Sequence, residues 1–325
     1  MRAAYYEKNG PVRDVLQVGD METPEPGPGE VRVKLTTSGV NPSDVKNRLG
    51  TTRKIAFPRV IPQSDGAGEI DAVGDGVPPS RIGERVWTWN AQWKRPFGTA
   101  AEYVVLPEAQ AVTLPNSVSF AAGACLGIPA MTASHAVTLA GAAPGKVILI
   151  SGGAGAVSHY AIQFAKQRGA TVIATVSSPE KARIAGDAGA DHTIDYKREN
   201  VGERVMALTG KRGADALIEL DLNANAKLIP AVLRPHGTVV IYGTMPEAVI
   251  PAAFCLVNSI TLKFFLVYEL TLAERAAAIA EITRMLEENR LVHNVAQTFP
   301  FAEMAEAHEA VESGKMPGNV VVTIP

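Results

Sequence analysis

Apolar residues along this chain change their spacing twice, and the changes divide it into three stretches. Ahead of Ser119 they come in short runs. Val31-Arg32-Val33-Lys34-Leu35 alternates apolar and polar with the two-residue period of a half-buried strand. Gly68–Val73, Arg85–Trp89 and Ala101–Leu106 are further β-type runs, separated by glycine and proline. Many short strands broken in this way predict a partly open barrel. Pro42, Pro58, Pro62 and Pro96 mark irregular loops, where sites tend to sit.

From Ser119 the period lengthens. Phe120–Leu139 is alanine-rich and reads as helix, interrupted at Gly127-Ile128-Pro129. Strand and helix then alternate regularly. Strands are predicted at Val147–Ser151, Thr171–Val176, His192–Asp195, Ala216–Leu220 and Thr238–Tyr242, with helices at Val157–Arg168, Pro179–Asp187, Glu199–Thr209 and Asn225–Leu233. Ser178 is an N-cap ahead of Pro179 at the first helical position. This rhythm predicts a parallel sheet covered by helices on both faces. After Pro251 it stops. Ile260–Val267 is β-capable, Leu272–Asn289 and Glu303–Ser313 are helical, and Gly318–Ile324 is a last strand. The returning β pattern predicts that this strand rejoins the first domain, so that the parallel sheet is an insertion and a cleft lies between two lobes. The expected divisions are residues 1–121, 122–258 and 259–325, the last extending the parallel sheet before returning to the first domain.

Chemistry enters at Lys146–Lys166, KVILISGGAGAVSHYAIQFAK. A buried strand, a glycine turn through Gly152, Gly153 and Gly155, and a helix with Val157, Ala161, Ile162 and Ala165 on one face open a nucleotide-binding βαβ unit. Glycines let the backbone approach a pyrophosphate, and the free amides of the helix N-terminus, Ala156 and Val157 among them, point at it. An ordinary tight strand-to-helix turn is the bland alternative.

Composition narrows the partners. The 325 residues carry 31 Lys and Arg against 33 Asp and Glu, a net charge of −2, so no global basic field draws nucleic acid or an anionic membrane. The hydrophobic share of 46% is ordinary, and no apolar run approaches the ~18 residues of a membrane span. Met1–Lys8 is not followed by an apolar segment of the secretory type. Cys125 and Cys255 lie far apart, as buried thiols in a reducing cytoplasm would.

Several stretches then act together: Gly39-Val40-Asn41-Pro42-Ser43-Asp44, Ser64-Asp65-Gly66-Ala67-Gly68 with Val73-Gly74, Gly83-Glu84-Arg85-Val86, Gly98-Thr99-Ala100-Ala101-Glu102-Tyr103, Gly127-Ile128-Pro129 with Thr132-Ala133, and the glycine turn. In this order and spacing they resemble the medium-chain dehydrogenase/reductase superfamily, and more narrowly its zinc-independent quinone oxidoreductases, the zeta-crystallin-like branch. The resemblance covers nearly the whole chain. It implies an α/β fold in which a Rossmann doubly wound parallel sheet is inserted in a GroES-like, mostly β, partly open barrel domain. Zinc-dependent relatives place Cys and a His-Glu pair where this chain has Asn41 and Ser64-Asp65, and their later Cys place falls near Ile128. Thr88–Phe97 contains no Cys, and the six histidines are scattered, so no metal is expected. The expected acceptor is then intrinsically electrophilic, a quinone or conjugated carbonyl that spreads the incoming charge itself.

Cofactor type is read at the end of the second strand of the inserted domain. NAD specificity usually requires Asp or Glu there for the ribose 2′-hydroxyl. This chain has Thr175-Val176-Ser177-Ser178, with Lys181 one turn on and Glu180 as a complication. A 2′-phosphate meets donors in Ser177, Ser178 and Lys181, so NADPH is expected. The blander reading makes Ser178 a cap and Lys181 solvated surface. The resemblance adds Tyr196 over the same phosphate, and Asn223, Gly243 and the Phe264-Phe265-Leu266 backbone along the ribose and nicotinamide. Tyr242 ends the fifth strand at the same crevice. The phenylalanines serve equally well as core or as a subunit-interface strand. Near the C-terminus, Lys315 and Asn319 occupy places where relatives touch the cofactor.

For the substrate pocket the candidates are Asn41, Asp44, Ser64, Asp65 and Thr132. Asn41 is the expected donor to the acceptor oxygen, and Asp65 reads first as a loop-capping carboxylate. Trp87, Trp89 and Trp93 read as barrel core, or as a stacking wall for a flat acceptor. One place departs from relatives. Ser158 stands at the third glycine of the fingerprint, where slightly looser helix packing is expected. The expected activity is NADPH-dependent, zinc-free quinone reduction in a cytoplasmic homodimer paired through the Ile260–Val267 edge. The alternatives are a reductase of enones, alkenals or enoyl thioesters, and a non-catalytic NADPH-binding protein.

Overall fold

The computed structural model describes residues 1–51 and 53–325. The chain forms two compact units, Met1–Ile128 with Thr283–Pro325, and Pro129–Ile282. The second unit thus starts after the expected division at 121/122 and ends after that at 258/259. The first stretch lays down β1 (Arg2–Tyr5), β2 (Gln17–Asp20), β3 (Glu30–Val40), α1 (Pro42–Leu49), β4 (Asp65–Val73), β5 (Arg85–Thr88), β6 (Tyr103–Pro107) and β7 (Ala111–Thr113). The second unit alternates α2 (Met131–Ala140), β8 (Val147–Ile150), α3 (Ala156–Gln167), β9 (Thr171–Val176), α4 (Pro179–Asp187), β10 (His192–Asp195), α5 (Val201–Leu208), β11 (Ala214–Glu219), β12 (Leu233–Ile241), α6 (Ala252–Val257) and β13 (Thr261–Phe264). Helix α7 (Leu272–Glu287) leads back to β14 (Val295–Pro300), α8 (Met304–Glu312) and β15 (Asn319–Thr323) in the first unit.

The first unit is built on β3. Its 11 residues alternate through Val31, Val33 and Leu35 and then stay buried from Thr37 to Val40. That length lets it hold β6 along Glu30–Lys34, β15 along Thr37–Val40, and β4 along its other edge. The seven-stranded sheet runs β14-β15-β3-β4-β5-β7, with β6 also on β3. The last strand therefore does return to the N-terminal unit, and Val320 and Val322 share a core with Val31, Val33, Ile70, Val86 and Leu106.

In the second unit six parallel strands lie in the order β10-β9-β8-β11-β12-β13. Ile148, Leu149, Ile150, Val172, Ile173, Leu217, Ile218, Val239 and Val240 are buried on its two faces, as unbroken apolar runs require. Two predicted helices break differently. Phe120–Leu139 splits into a turn at Phe120–Gly123, a wide turn at Leu126–Ala130 that holds Pro129, and α2. Asn225–Leu233 is replaced by single turns at Leu222–Asn225, Ala226–Leu228 and Ile229–Val232. Pro230 cannot donate within a continuing helix and instead sits in the first turn of the last piece. Leu233 goes extended because β12 pairs it with Ala214. Among the described residues no helix is long and apolar enough to cross a membrane.

Two glycines test the packing in opposite directions. At Gly39 a Cβ would lie 2.1 Å from the Ala124 carbonyl oxygen, whereas at Gly186, inside α4, it would meet nothing within 4 Å. Gly39→Ala should cost about 1–3 kcal/mol by overpacking. Gly186→Ala should gain about 0.5–1 kcal/mol by restricting the unfolded chain and favouring helix. Urea midpoints measure both, and equal shifts would contradict the packing described.

Candidate functional site

In the second unit, β8 delivers the chain into the glycine turn at the carboxyl ends of the parallel strands. Gly152 takes φ +63°, a left-handed conformation, and a Cβ there would sit 2.6 Å from Leu220 Cδ2. Its N–H donates to Thr175 Oγ1 at 3.0 Å, and Gly153 N–H donates to the Thr175 carbonyl at 2.8 Å. The turn is thus tied to β9. Gly155 caps α3 without a side chain, so nothing of its own covers the first-turn amides. Ala156 and Val157 follow, half-buried, with N–H groups that have no intrahelical acceptor. That is the chemistry an anionic diphosphate requires.

Ser158 does not loosen this arrangement. Its side chain is buried, and its hydroxyl bonds the Ser151 carbonyl at 2.7 Å and the Tyr242 hydroxyl at 3.2 Å. The third glycine's place holds a pin from helix to strand. Burial pushes the Tyr242 phenol above its ordinary range, with Glu219 adding to the effect and the Ser158 bond opposing it.

Glu219 is the residue that pattern reading missed. It is fully buried at the end of β11. Its carboxylate accepts from Ser151 Oγ at 2.6 Å, Asp221 N–H at 2.6 Å and Asn225 Nδ2 at 2.9 Å. It gathers the ends of β8 and β11 and the following turn. The only signal in the sequence is a carboxylate closing an otherwise apolar run.

The end of β9 carries no carboxylate. Ser177 and Ser178 are half-buried, and Ser178 Oγ accepts from Lys181 N–H at 3.3 Å. Ser178 is therefore a cap, and a hydroxyl that accepts from the helix keeps its own proton to donate. Lys181 is half-buried and makes no ion pair among the described residues, while Glu180 is exposed. Because Asp195 pairs with Val176, Tyr196 emerges beside Ser177, and its N–H donates to the Val176 carbonyl at 3.1 Å. Its side chain is exposed.

Further along the same strand ends, Asn223 is exposed and Gly243 packs so closely on Leu220 that a Cβ would be 2.0 Å from its carbonyl oxygen. Phe265 donates its N–H to the Ile241 carbonyl at 3.2 Å, and its ring meets His135 edge-on at 4.8 Å. Phe264 and Leu266 are exposed on and just past β13, the edge of the sheet. Thr132, on α2, is buried with a hydroxyl that has no hydrogen-bond partner. An unsatisfied buried donor of this kind marks a site candidate.

In the first unit, β3 and β4 bring Gly39 opposite Asp65, which sets Asn41 beside the Asp65 carboxyl. Asn41 Nδ2 donates to Asp65 Oδ2 at 2.9 Å, and the Ile128 N–H donates to the same oxygen at 3.0 Å. Asp44, at the third position of α1, accepts from Asn41 N–H at 2.8 Å. All three side chains are buried. Burial lifts the Asp44 carboxyl to about 7 and, with Asp44 close by, lifts Asp65 well above the carboxylate range. Both acids hold loops in place, as the capping reading of Asp65 expected. Ser64 is not part of this group, since its hydroxyl accepts from Gln92 N–H at 3.4 Å. Asn319 donates to the Asn294 carbonyl at 3.1 Å, and Lys315 is exposed, both in the first unit. Trp87 is core, whereas Trp93 lies beneath the Arg53 guanidinium at 3.5 Å. Cys125 is buried, and its thiol is pushed up by burial and by Asp65. Among the described residues no three His, Cys, Asp or Glu side chains come together as metal ligands.

The Asp44 carboxyl gives a pH test. Its folded value, about 7, lies above the ~4 of an unfolded Asp. The folded state therefore holds the extra proton, and this contribution to stability is lost as pH rises from about 4 through 7. Asp44→Asn keeps an acceptor for the Asn41 N–H without the titration. Relative to wild type it should gain of the order of 2–4 kcal/mol between pH 4.5 and 7.5. Parallel stability curves would refute it.

Comparison with known proteins agrees with this architecture. An alcohol dehydrogenase GroES-like domain model matches residues 27–116, and a zinc-binding dehydrogenase model matches residues 156–284. A quinone oxidoreductase of Pseudomonas aeruginosa is 32% identical over 318 residues, covering 95% of each chain. A 2-haloacrylate reductase of a Burkholderia species is 28% identical, covering 99% of this chain and 98% of its own. Among solved structures, an NAD-dependent alcohol dehydrogenase superposes with TM-score 0.92 at 32% identity over the whole of both chains. A mycobacterial protein solved in complex with NADPH does so with TM-score 0.87 at 27% identity, also over both whole chains. With both domain types in their family order and this similarity along its length, the chain belongs to the medium-chain dehydrogenase/reductase superfamily, in its zinc-independent quinone oxidoreductase branch.

Proposed function

We propose that this oxidoreductase uses NADPH to reduce quinones. The observation that carries the cofactor assignment is the end of β9, where Ser178 retains a donor proton, Lys181 has no ionic partner among the described residues and the strand itself ends without a carboxylate. The glycine turn beside it fits the diphosphate, because its positive φ and close contacts admit no larger residue at Gly152. Gly152, Gly153, Gly155, Ala156 and Val157 would hold the diphosphate. Ser177, Ser178, Lys181 and Tyr196 would hold the 2′-phosphate, and Asn223, Tyr242, Gly243 and the Phe264–Leu266 backbone the remainder. The NADPH complex of the mycobacterial neighbour supports this reading. NADPH bound there supplies a hydride from its nicotinamide C4.

The chain's own residues do the positioning. Asp65 fixes the Asn41 amide through one of its two Nδ2 hydrogens, leaving the other to donate to an acceptor oxygen as negative charge develops on it. The Asp65 carboxyl, lifted well above the ordinary carboxylate range by burial, spares the acceptor a repulsive charge. Solvent provides the final proton. Quinone relatives favour a quinone, while the haloacrylate reductase relative supports a second reading in which the acceptor is a conjugated alkene. The exposed Phe264 and Leu266 on the unpaired edge of β13 support a homodimer through that strand.

Lys181→Ala should raise the NADPH Michaelis constant about tenfold, the value of one charge-assisted bond, and lower the NADPH/NADH preference equally. Unchanged constants would remove the phosphate assignment. Oxidation of NADPH by benzoquinones, compared with alkenals and acrylates, decides the acceptor, and activity with the latter alone would replace the quinone reading. Phe264→Glu should convert a dimer to monomer in light scattering, and a variant of unchanged mass would exclude β13 as the interface.

A further inference from the structure

The first unit contains a hollow of about 270 Å³ beyond the C-terminal end of α1, which no role assigned so far uses. Its lining is of two kinds. Ile55 and Phe57 give it an apolar wall, and the Tyr6 ring closes one side. Arg53, Lys54 and Lys94 bring three cationic side chains to it, while no Asp or Glu lines it among the described residues. Arg53 and Lys54 are exposed, and neither forms an ion pair with a described carboxylate. In a chain of net charge −2 this is a local concentration of positive charge.

Arg53 is also held in a particular way. Its guanidinium lies 3.5 Å from the Trp93 ring centroid, and the Lys94 ammonium lies 5.6 Å from the same ring. A guanidinium stacked on an indole face keeps its plane fixed and its N–H edges outward. That edge matches two oxygens of a carboxylate or phosphate, with less side-chain entropy left to lose. The apolar wall beside it accommodates the carbon skeleton that carries such a group.

We propose that this hollow is an anion-selecting subsite, which makes the preferred acceptor a conjugated carbonyl compound bearing a carboxylate or a phosphate. Arg53 receives the anion edge-on, Lys54 adds a second charge, and Ile55 and Phe57 cover the adjoining carbons. The proposal rests on the acceptor-reductase reading and refines it. Selection of this kind weakens with salt, since exposed cations are screened within about 10 Å at 0.1 M ionic strength.

Two measurements on the full-length protein test it. In kinetics, acceptors are compared as matched pairs with NADPH, a carboxylated against an uncharged benzoquinone, and an acrylate against its methyl ester. An enoyl thioester of coenzyme A, set beside one of N-acetylcysteamine, distinguishes phosphate from carboxylate as the source of the charge. The anionic member should be preferred by about tenfold in kcat/KM. Arg53→Ala and Lys54→Ala should each lower that ratio several-fold, with Arg53→Lys intermediate. In binding, 2-naphthoate should quench indole emission at lower concentration than 2-naphthamide, and Arg53→Ala should abolish the difference. Naphthoate discrimination without turnover of any acceptor would sink the reductase reading and leave the subsite standing. Turnover with equal ratios in wild type and variants, and no naphthoate discrimination, would overturn the subsite.

Discussion

The buried carboxyl of Asp65 imposes the constraint on which the segments around Asn41 and Ile128 depend. An acid removed from water must be neutral, paired or fully hydrogen-bonded. Asp65 has no cation beside it and uses one oxygen to draw in both the Asn41 amide and the Ile128 N–H. Its other oxygen has no partner and lies where a side chain at residue 127 would stand, 2.3 Å from the Cβ position of Gly127. Gly39 is limited separately, by the Ala124 carbonyl. Gly127 thus follows from the acid that ties three segments together, and Gly39 from the neighbouring backbone carbonyl. Removing the acid would release Asn41, the residue proposed to meet an acceptor.

The second unit solves a similar problem with Glu219. Parallel strands end in carbonyls and turns that must be organised without neighbouring ladder partners. One buried carboxylate there accepts from Ser151, Asp221 and Asn225, and Ser158 adds a bond from helix to strand. In each unit an acid at a strand terminus positions loops, and the groups it leaves over are the ones proposed for chemistry, first-turn amides at the glycine turn and one Asn41 amide hydrogen in the first unit.

What could be read from sequence followed from periodicity. The parallel strands from Val147 to Ile241 and the return of the last strand to β3 came from spacing that burial enforces on every residue of an element. Short helices were harder. The segment from Leu222 to Val232 has helical composition, but Pro230 and the pairing of Leu233 with Ala214 cut it into turns. Within the site, the residues visible in advance were those with a local signature, such as the glycines and Ser178 ahead of proline, and those, such as Asn41 and Asp44, in stretches that resemble a known family. Glu219 and the role of Ser158 depend on partners more than sixty residues away or on a fold contact between helix and strand. The cation-lined hollow brings together residues from three segments of the first unit, which no spacing rule relates.

Cofactor preference shows how local such determinants are. A neighbour with TM-score 0.92 is an NAD-dependent alcohol dehydrogenase, and another with TM-score 0.87 was solved with NADPH. Backbone similarity of that order cannot separate a 2′-hydroxyl from a 2′-phosphate, because the difference rests on a few side chains past β9. A carboxylate there would accept from the hydroxyl and repel the phosphate, and under the proposed assignment Ser177, Ser178 and Lys181 reverse both preferences. The same reasoning applies to the acceptor. Relatives named for quinones and for haloacrylates share this fold, so the fold supplies hydride chemistry and leaves the choice of acceptor to loops. In this chain Arg53 and Lys54, which pair with no described carboxylate, line a hollow walled by Ile55 and Phe57, and the proposed selection acts where charge and shape differ between candidate acceptors.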